Sequence, residues 1–152
     1  MEDFKRKRVM EDCKISRYFS ILHRRSQQFI AAACAPLSLS YPECILLFAV
    51  FEEQGKSQDE LADILFLDKA VITRTITLLE HKNFLYREQD SKDRRIKRIF
   101  LTDEARRHED FITDIFSKWT SYLFAGFNEK DLRSIEFAIS TLADRAKKYN
   151  IH

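Results

Sequence analysis

Two glycines and two prolines are all that 152 residues contain, and this scarcity of turn-formers limits the fold more than any other feature. An all-β sandwich or barrel needs many tight turns, and a glycine-cradled nucleotide site needs glycines the chain lacks. Long helices with few breaks need neither. The 13 Phe, 5 Tyr and single Trp, in a chain that is 45% apolar, exclude a disordered polymer and suffice to bury a core. The longest apolar run, Cys44 to Phe51, stops at Glu52 and Glu53, well short of the roughly 18 residues of a membrane span. Met1 to Arg8 is charged, with no signal-type apolar stretch behind it. Cys13, Cys34 and Cys44 are an odd count without a CxxC, so a disulfide framework is not expected. The expectation is a cytoplasmic chain with no membrane partner.

Helix starts are legible. Ser40-Tyr-Pro-Glu43 and Ser57-Gln-Asp-Glu60 have the form of capping boxes, and Asp68, Thr102 and Asn128 are candidate caps. The apolar spacing predicts helices over about 11–35, 41–53, 58–66, 69–82, 103–124 and 129–149, with Pro36 and Gly55 closing the first two. Between the fourth and fifth the period changes. Residues 84–88 are β-prone, 89–95 are polar and charged, and 96–101 alternate apolar with basic before Phe100-Leu101, which predicts a hairpin with a long loop.

The short helices at 58–66 and 69–82 flank Leu67-Asp68, the spacing of a helix-turn-helix whose second helix enters the major groove. A helical projection puts Ile72, Ile76 and Leu79 on one side. Ala70, Thr73, Arg74 and Thr77 point the other way, with Val71 at the edge. Small residues let the backbone sit deep in a groove, Arg can pair with guanine, and Thr or Val can touch a thymine methyl. An ordinary amphipathic helix with a polar outside has the same pattern. The net charge of the chain is only +2, yet Lys82 to Arg98 holds 7 basic and 3 acidic groups, or +4. A basic hairpin directly after such a helix is a wing, whose tip Asp90-Ser-Lys-Asp-Arg-Arg95 can reach phosphates or the minor groove. The competing reading of the run is a solvated charged turn.

Residues 57–107 resemble the MarR family of bacterial transcriptional regulators. Asp93-Arg94-Arg95 followed by Leu101-Thr102 is similar to that family's D-x-R…L-T wing, and Leu67-Asp68-Lys69 with Thr73-Arg74 is similar to the start of its recognition helix. The resemblance implies a mainly α fold with a small β-hairpin. It implies a winged helix-turn-helix over 40–101, flanked by dimerisation helices at 1–36 and 102–152, the whole chain being one MarR-like unit. It further implies a homodimer that straddles a pseudo-palindromic stretch of double-stranded DNA, more often as a repressor. Lys69, Ala70, Val71, Thr73, Arg74 and Thr77 of the helix, and Lys92, Asp93, Arg94, Arg95 and Lys97 of the wing, are the expected DNA contacts. Relatives commonly respond to small amphipathic aromatic compounds. Arg17, Tyr18, Tyr41, Cys44 and Phe48 are the expected lining of such an effector pocket. Asn83 stands where the family usually has Gly, Leu78 where Arg is frequent, and Ala105 where Gly is frequent.

Other functions fit less well. A redox-responsive regulator would use Cys13 or Cys44. In peroxide-sensing relatives, however, the matching position is Ser16, and a facing tyrosine is replaced by Ile30. His23, His81, His108 and His152 show no converging spacing, so no metal or other cofactor is expected. Gly55-Lys56-Ser57 would need glycine at Val50 to be a P-loop, and HExxH and GxSxG are missing. No catalytic residue is expected and the chain does not read as an enzyme. The remaining rival is a winged helix used only to bind protein, which has no need of a basic wing tip.

Overall fold

The structure, a computed structural model, describes residues 2–150; Met1, Ile151 and His152 lie outside them. Helix α1 (Glu2–Cys34) runs through a short 3-10 turn (Ala35–Leu37) and bends by 81° into α2 (Tyr41–Glu52). There follow α3 (Gln58–Leu65), α4 (Lys69–His81), strands β1 (Leu85–Gln89) and β2 (Lys97–Leu101), α5 (Asp103–Leu123) and α6 (Glu129–Lys148). The fold is mainly α with one hairpin, as the sequence predicts. No single helix among the described residues is long and apolar enough to cross a membrane.

The largest difference is at the start. Helix α1 begins at Glu2 rather than near Glu11. Residues 7–10 of this added segment are exposed, so it has no core-facing stripe to reveal it. It persists because Lys, Arg, Glu and Met are strong helix formers with no Gly or Pro among them.

Three caps form as expected. Ser57 Oγ accepts from the Glu60 amide at 3.2 Å, and Glu60 Oε2 accepts from the Ser57 amide at 2.7 Å. Thr102 accepts from Ala105 N–H and Asn128 from Asp131 N–H. Ser40 donates both its amide (2.8 Å) and its hydroxyl (2.6 Å) to Glu43 Oε2. Asp68 takes the N-cap conformation without a side-chain capping bond.

Helix α4 ends in a Schellman motif. Asn83 takes φ 62°, its amide donates to Glu80 O, and Phe84 N–H reaches back to Leu79 O at 2.8 Å. Asn is the residue that tolerates this left-handed position best after Gly.

The core lies between α2, α3, α4 and the hairpin. Leu46, Leu47, Leu61, Ile72, Ile76, Leu79 and Ile99 are fully buried there, and Ile112 of α5 closes it. Strands β1 and β2 pair antiparallel, with Leu85 opposite Leu101 and Arg87 opposite Ile99. A third short segment joins them, unforeseen from sequence. Gly55 N–H donates to Ile99 O at 2.8 Å, and Ile99 N–H to Lys56 O at 2.9 Å.

Two joints are prominent, one between the outer helices themselves and one between them and this lobe. In one, Trp119 of α5 donates to Ser26 Oγ at 2.8 Å and stacks on Phe29 of α1, ring centroids 4.9 Å apart. In the other, Lys82 at the C-terminal end of α4 contacts the α1–α2 connection. Its Nζ donates to Ser38 O at 2.6 Å and lies 2.7 and 2.9 Å from the two oxygens of Glu43, which is 2% exposed. Burial pulls the Glu43 carboxyl upward, but bonds from Lys82 and Ser40 outweigh it and hold the group below its ordinary range.

Candidate nucleic-acid interface

Helix α3 ends on Phe66 in the left-handed region, φ 51°, and the chain turns through Leu67-Asp68 into α4. The core side of α4 is Ile72, Thr75, Ile76 and Leu79. Lys69, Ala70, Thr73 and Arg74 are exposed, while Val71 and Thr77 are half-buried.

These outward residues differ in how free they are. Lys69 pairs with Asp59 at 3.0 Å, both side chains being open to water, so the pair holds weakly. Thr73 Oγ1 donates to Lys69 O at 2.8 Å and accepts from Gln58 at 3.0 Å. Thr77 Oγ1 donates to Thr73 O at 2.9 Å and accepts from Arg87 at 3.2 Å. A hydroxyl has one proton and two lone pairs. Each threonine has therefore used its proton and keeps one lone pair. Arg74 makes no hydrogen bond or ion pair among the described residues and is exposed.

Arg87 and Gln58 are the participants that sequence reading missed. Arg87 sits on β1, pairs with Glu80 of α4, and fastens the strand against the recognition helix. Its alternation along the strand gives the correct face. Its partners, 7 and 10 residues away, are not visible without the fold.

The wing is built around Asp90. Its Oδ1 accepts from the amides of Lys92 (2.8 Å) and Asp93 (3.0 Å), and its Oδ2 from Arg98 Nε. Arg98 also donates to Gly55 O at 2.9 Å, which ties the base of the wing to the segment before α3. Arg98 first, then the two amides, hold the Asp90 carboxyl far below the usual carboxylate range. At the tip, Arg95 binds Asp93 bidentately, Nε to Oδ1 at 3.0 Å and Nη2 to Oδ2 at 2.8 Å, yet its side chain is 90% exposed. Lys92, Arg94 and Lys97 are exposed, and Asp93 is half-buried. Arg95, Ile96 and Lys97 face Ser57, Gln58 and Asp59 across a groove of about 390 Å³. The wing therefore lies alongside the start of the helix-turn-helix.

Residues 39–97 match the sequence profile of the MarR family. A MarR transcriptional regulator from Methanosarcina mazei Go1 superposes with a TM-score of 0.81 at 29% identity, over 88% of this chain and 96% of that one. The chain is similar to the MarR family over that segment and in its fold. Members are transcriptional regulators rather than enzymes. The HTH-type transcriptional regulator TtmR of Methylorubrum extorquens is 38% identical over 68 residues. That match covers 45% of this chain and only 35% of TtmR, so the chain spans about a third of that relative. A MarR family transcriptional regulator from Listeria monocytogenes, solved in complex with a 26mer DNA, shares the fold with a TM-score of 0.83. It is 21% identical, over 86% of this chain and 87% of that one.

Among the residues expected to line an effector pocket, Arg17 and Tyr18 are exposed on α1. Tyr41 is half-buried edge-on to His23, 6.1 Å between ring centroids. Cys44 is fully buried and hydrogen-bonds with Cys34, which with burial pushes its thiol up, away from the reactive thiolate. Cys13 is exposed. Phe48 packs against Phe116, 4.8 Å between centroids with the rings tilted by 37°, at a cavity of about 400 Å³ that Thr113, Ser117, Thr120 and Ser121 also line. His108 pairs with Glu104, one turn back. No group of three or more His, Cys, Asp or Glu among the described residues could hold a metal ion.

Proposed function

We propose that the chain is a sequence-specific DNA-binding transcriptional regulator that grips a pseudo-palindromic operator as a homodimer. The observation that carries the reading is an exposed, uncommitted Arg74 on α4 together with a wing whose Lys92, Arg94, Arg95 and Lys97 are exposed and which faces the start of the helix-turn-helix across a groove. On this reading Lys69, Ala70, Val71, Thr73, Arg74 and Thr77 lie in the major groove, and the wing tip, braced by Asp93, follows phosphates or the minor groove. The 40–101 lobe reads the DNA, and the helices at 1–36 and 102–152 pair two copies. The bound Listeria relative supports this use of the fold.

Dimerisation is supported by apolar surface the chain does not cover. Helix α6 has no buried residue, and Phe137 (74%), Ile139 and Leu142 stand exposed on it. Tyr18, Phe19 and Leu22 of α1 are exposed as well. Surface of this extent on a small chain marks an interface. An effector that relieves repression would be amphipathic and aromatic. The paired rings of Phe48 and Phe116 with the hydroxyl rim of Thr113, Ser117 and Thr120 fit that chemistry.

Selection of bound duplexes from a random pool tests the proposal. A two-fold symmetric motif and a steep salt dependence are the expected results. Recovery of no motif, with weak binding, would point instead to a module that binds only protein.

A further inference from the structure

The recognition helix is held at one end by both arms of the chain. At the C-terminus of α4, Lys82 grips Ser38 O and the buried Glu43, where α1 turns into α2. The next residues, Asn83 and Phe84, offer their carbonyls to Thr102 Oγ1 at 2.6 and 3.2 Å, and Thr102 is the N-cap of α5. The N-terminal half of α4 is held from outside by weaker ties, an exposed Lys69–Asp59 pair and a Gln58–Thr73 bond. The arms that set the distance between two copies therefore meet the reading helix at Lys82 to Phe84.

A helix of 13 residues is about 20 Å long. A tilt of about 10° about its C-terminal end moves the N-terminal end by about 3.4 Å, the rise of one base pair. One extra base pair between half-sites also turns the second half-site by roughly 35°. Small changes in how the C-terminal end is held thus become a choice of spacing.

We infer that Lys82, acting through Glu43 and the Ser38 carbonyl, is a positioning residue that fixes the half-site spacing this protein accepts, while the outward face of α4 fixes the half-site sequence. The inference rests on the dimeric DNA-binding reading above.

The test offers full-length protein a library in which the half-site recovered by the wild type is repeated at spacings varied one base pair at a time. Wild-type protein is expected to favour one spacing by about tenfold over its neighbours, equivalent to about 1.4 kcal/mol. The double variant Glu43→Gln/Lys82→Met leaves no buried charge unpaired and retains an acceptor for the Ser40 amide. It is expected to recover the same half-site with neighbouring spacings bound within about threefold, or about 0.65 kcal/mol. Lys82→Arg, which keeps charge and donors, should keep the single spacing. If melting curves show the double variant unfolded, Lys82→Gln carries the same expectation.

An unchanged spacing profile overturns the inference, even with affinity lowered evenly and a smaller salt slope. That result would make Lys82 a phosphate contact. Equal broadening by Lys82→Arg overturns it too, since side-chain shape rather than the bridge would then be responsible. Wild-type protein that recovers no paired half-sites would instead refute the dimeric reading itself.

Discussion

Arg74 and Lys69 are the only Lys or Arg side chains of α4, and only Lys69 has a partner there. Arg74→Ala should therefore cost about 1–3 kcal/mol on the preferred site and much less on random DNA, measured by titrating the two duplexes in parallel. An equal loss on both would make Arg74 a phosphate contact and pass base reading to Thr73 and Thr77. Their protons are already given to Lys69 O and Thr73 O, so these threonines could only accept, from an amino group of adenine or cytosine. At the wing, the bond between Arg95 and Asp93 is open to water and screened by salt, so the guanidinium is presented rather than locked. A narrow A·T-rich minor groove concentrates negative potential and favours an inserted Arg. Arg95→Ala should weaken binding more on A·T-flanked than on G·C-flanked duplexes, with Asp93→Ala smaller in the same direction. Equal losses on both flanks, together with a lower melting temperature for both variants, would reduce the pair to a hairpin closure.

The wing is the element whose stability depends most clearly on a titrating group. Asp90 is held ionised by Arg98 and two amides, so its folded pKa lies below the unfolded value. The stabilisation is present above the usual Asp pKa of about 3.9 and is lost as pH falls through the depressed folded value. Asp90→Asn should therefore melt lower than wild type at pH 7, and the gap should close progressively below about pH 4. A gap of constant size across that range would mean that the carboxylate charge does not hold the wing. The helices were readable because their signals are local. Ser57 and Glu60, Thr102 and Ala105, and Asn128 and Asp131 are each three residues apart, and the stripe Ile72-Ile76-Leu79 lies within one element. What escaped sequence reading is non-local or unpatterned. Ile99 pairs with the 55–56 backbone across more than 40 residues. Lys82 finds Glu43 at a separation of 39. Arg87 on a strand gives no sign that it will close over Thr77, and the charged start of α1 carries no apolar period.

At the scale of the whole molecule, the dominant feature is the exposed apolar surface of α1 and α6. Sedimentation at low micromolar concentration should find a dimer. Replacing Ile139 and Leu142 by Glu should separate the copies and reduce affinity for a paired operator far more than for an isolated half-site. A folded wild-type monomer at that concentration would remove the dimer from the reading. The expected pocket residues were the least legible part of the sequence, because Arg17 and Tyr18 stand on the exposed stretch of α1 while Cys44 is sealed in the core. The joint between α1 and α5 has one more consequence. Trp119 is the only tryptophan in the chain, and it is fixed to Ser26 and stacked between Phe29 and Tyr122. The tryptophan fluorescence of the protein thus reports on that joint: its emission should stay still while the far lobe scans DNA, and redden when α1 lifts away from α5.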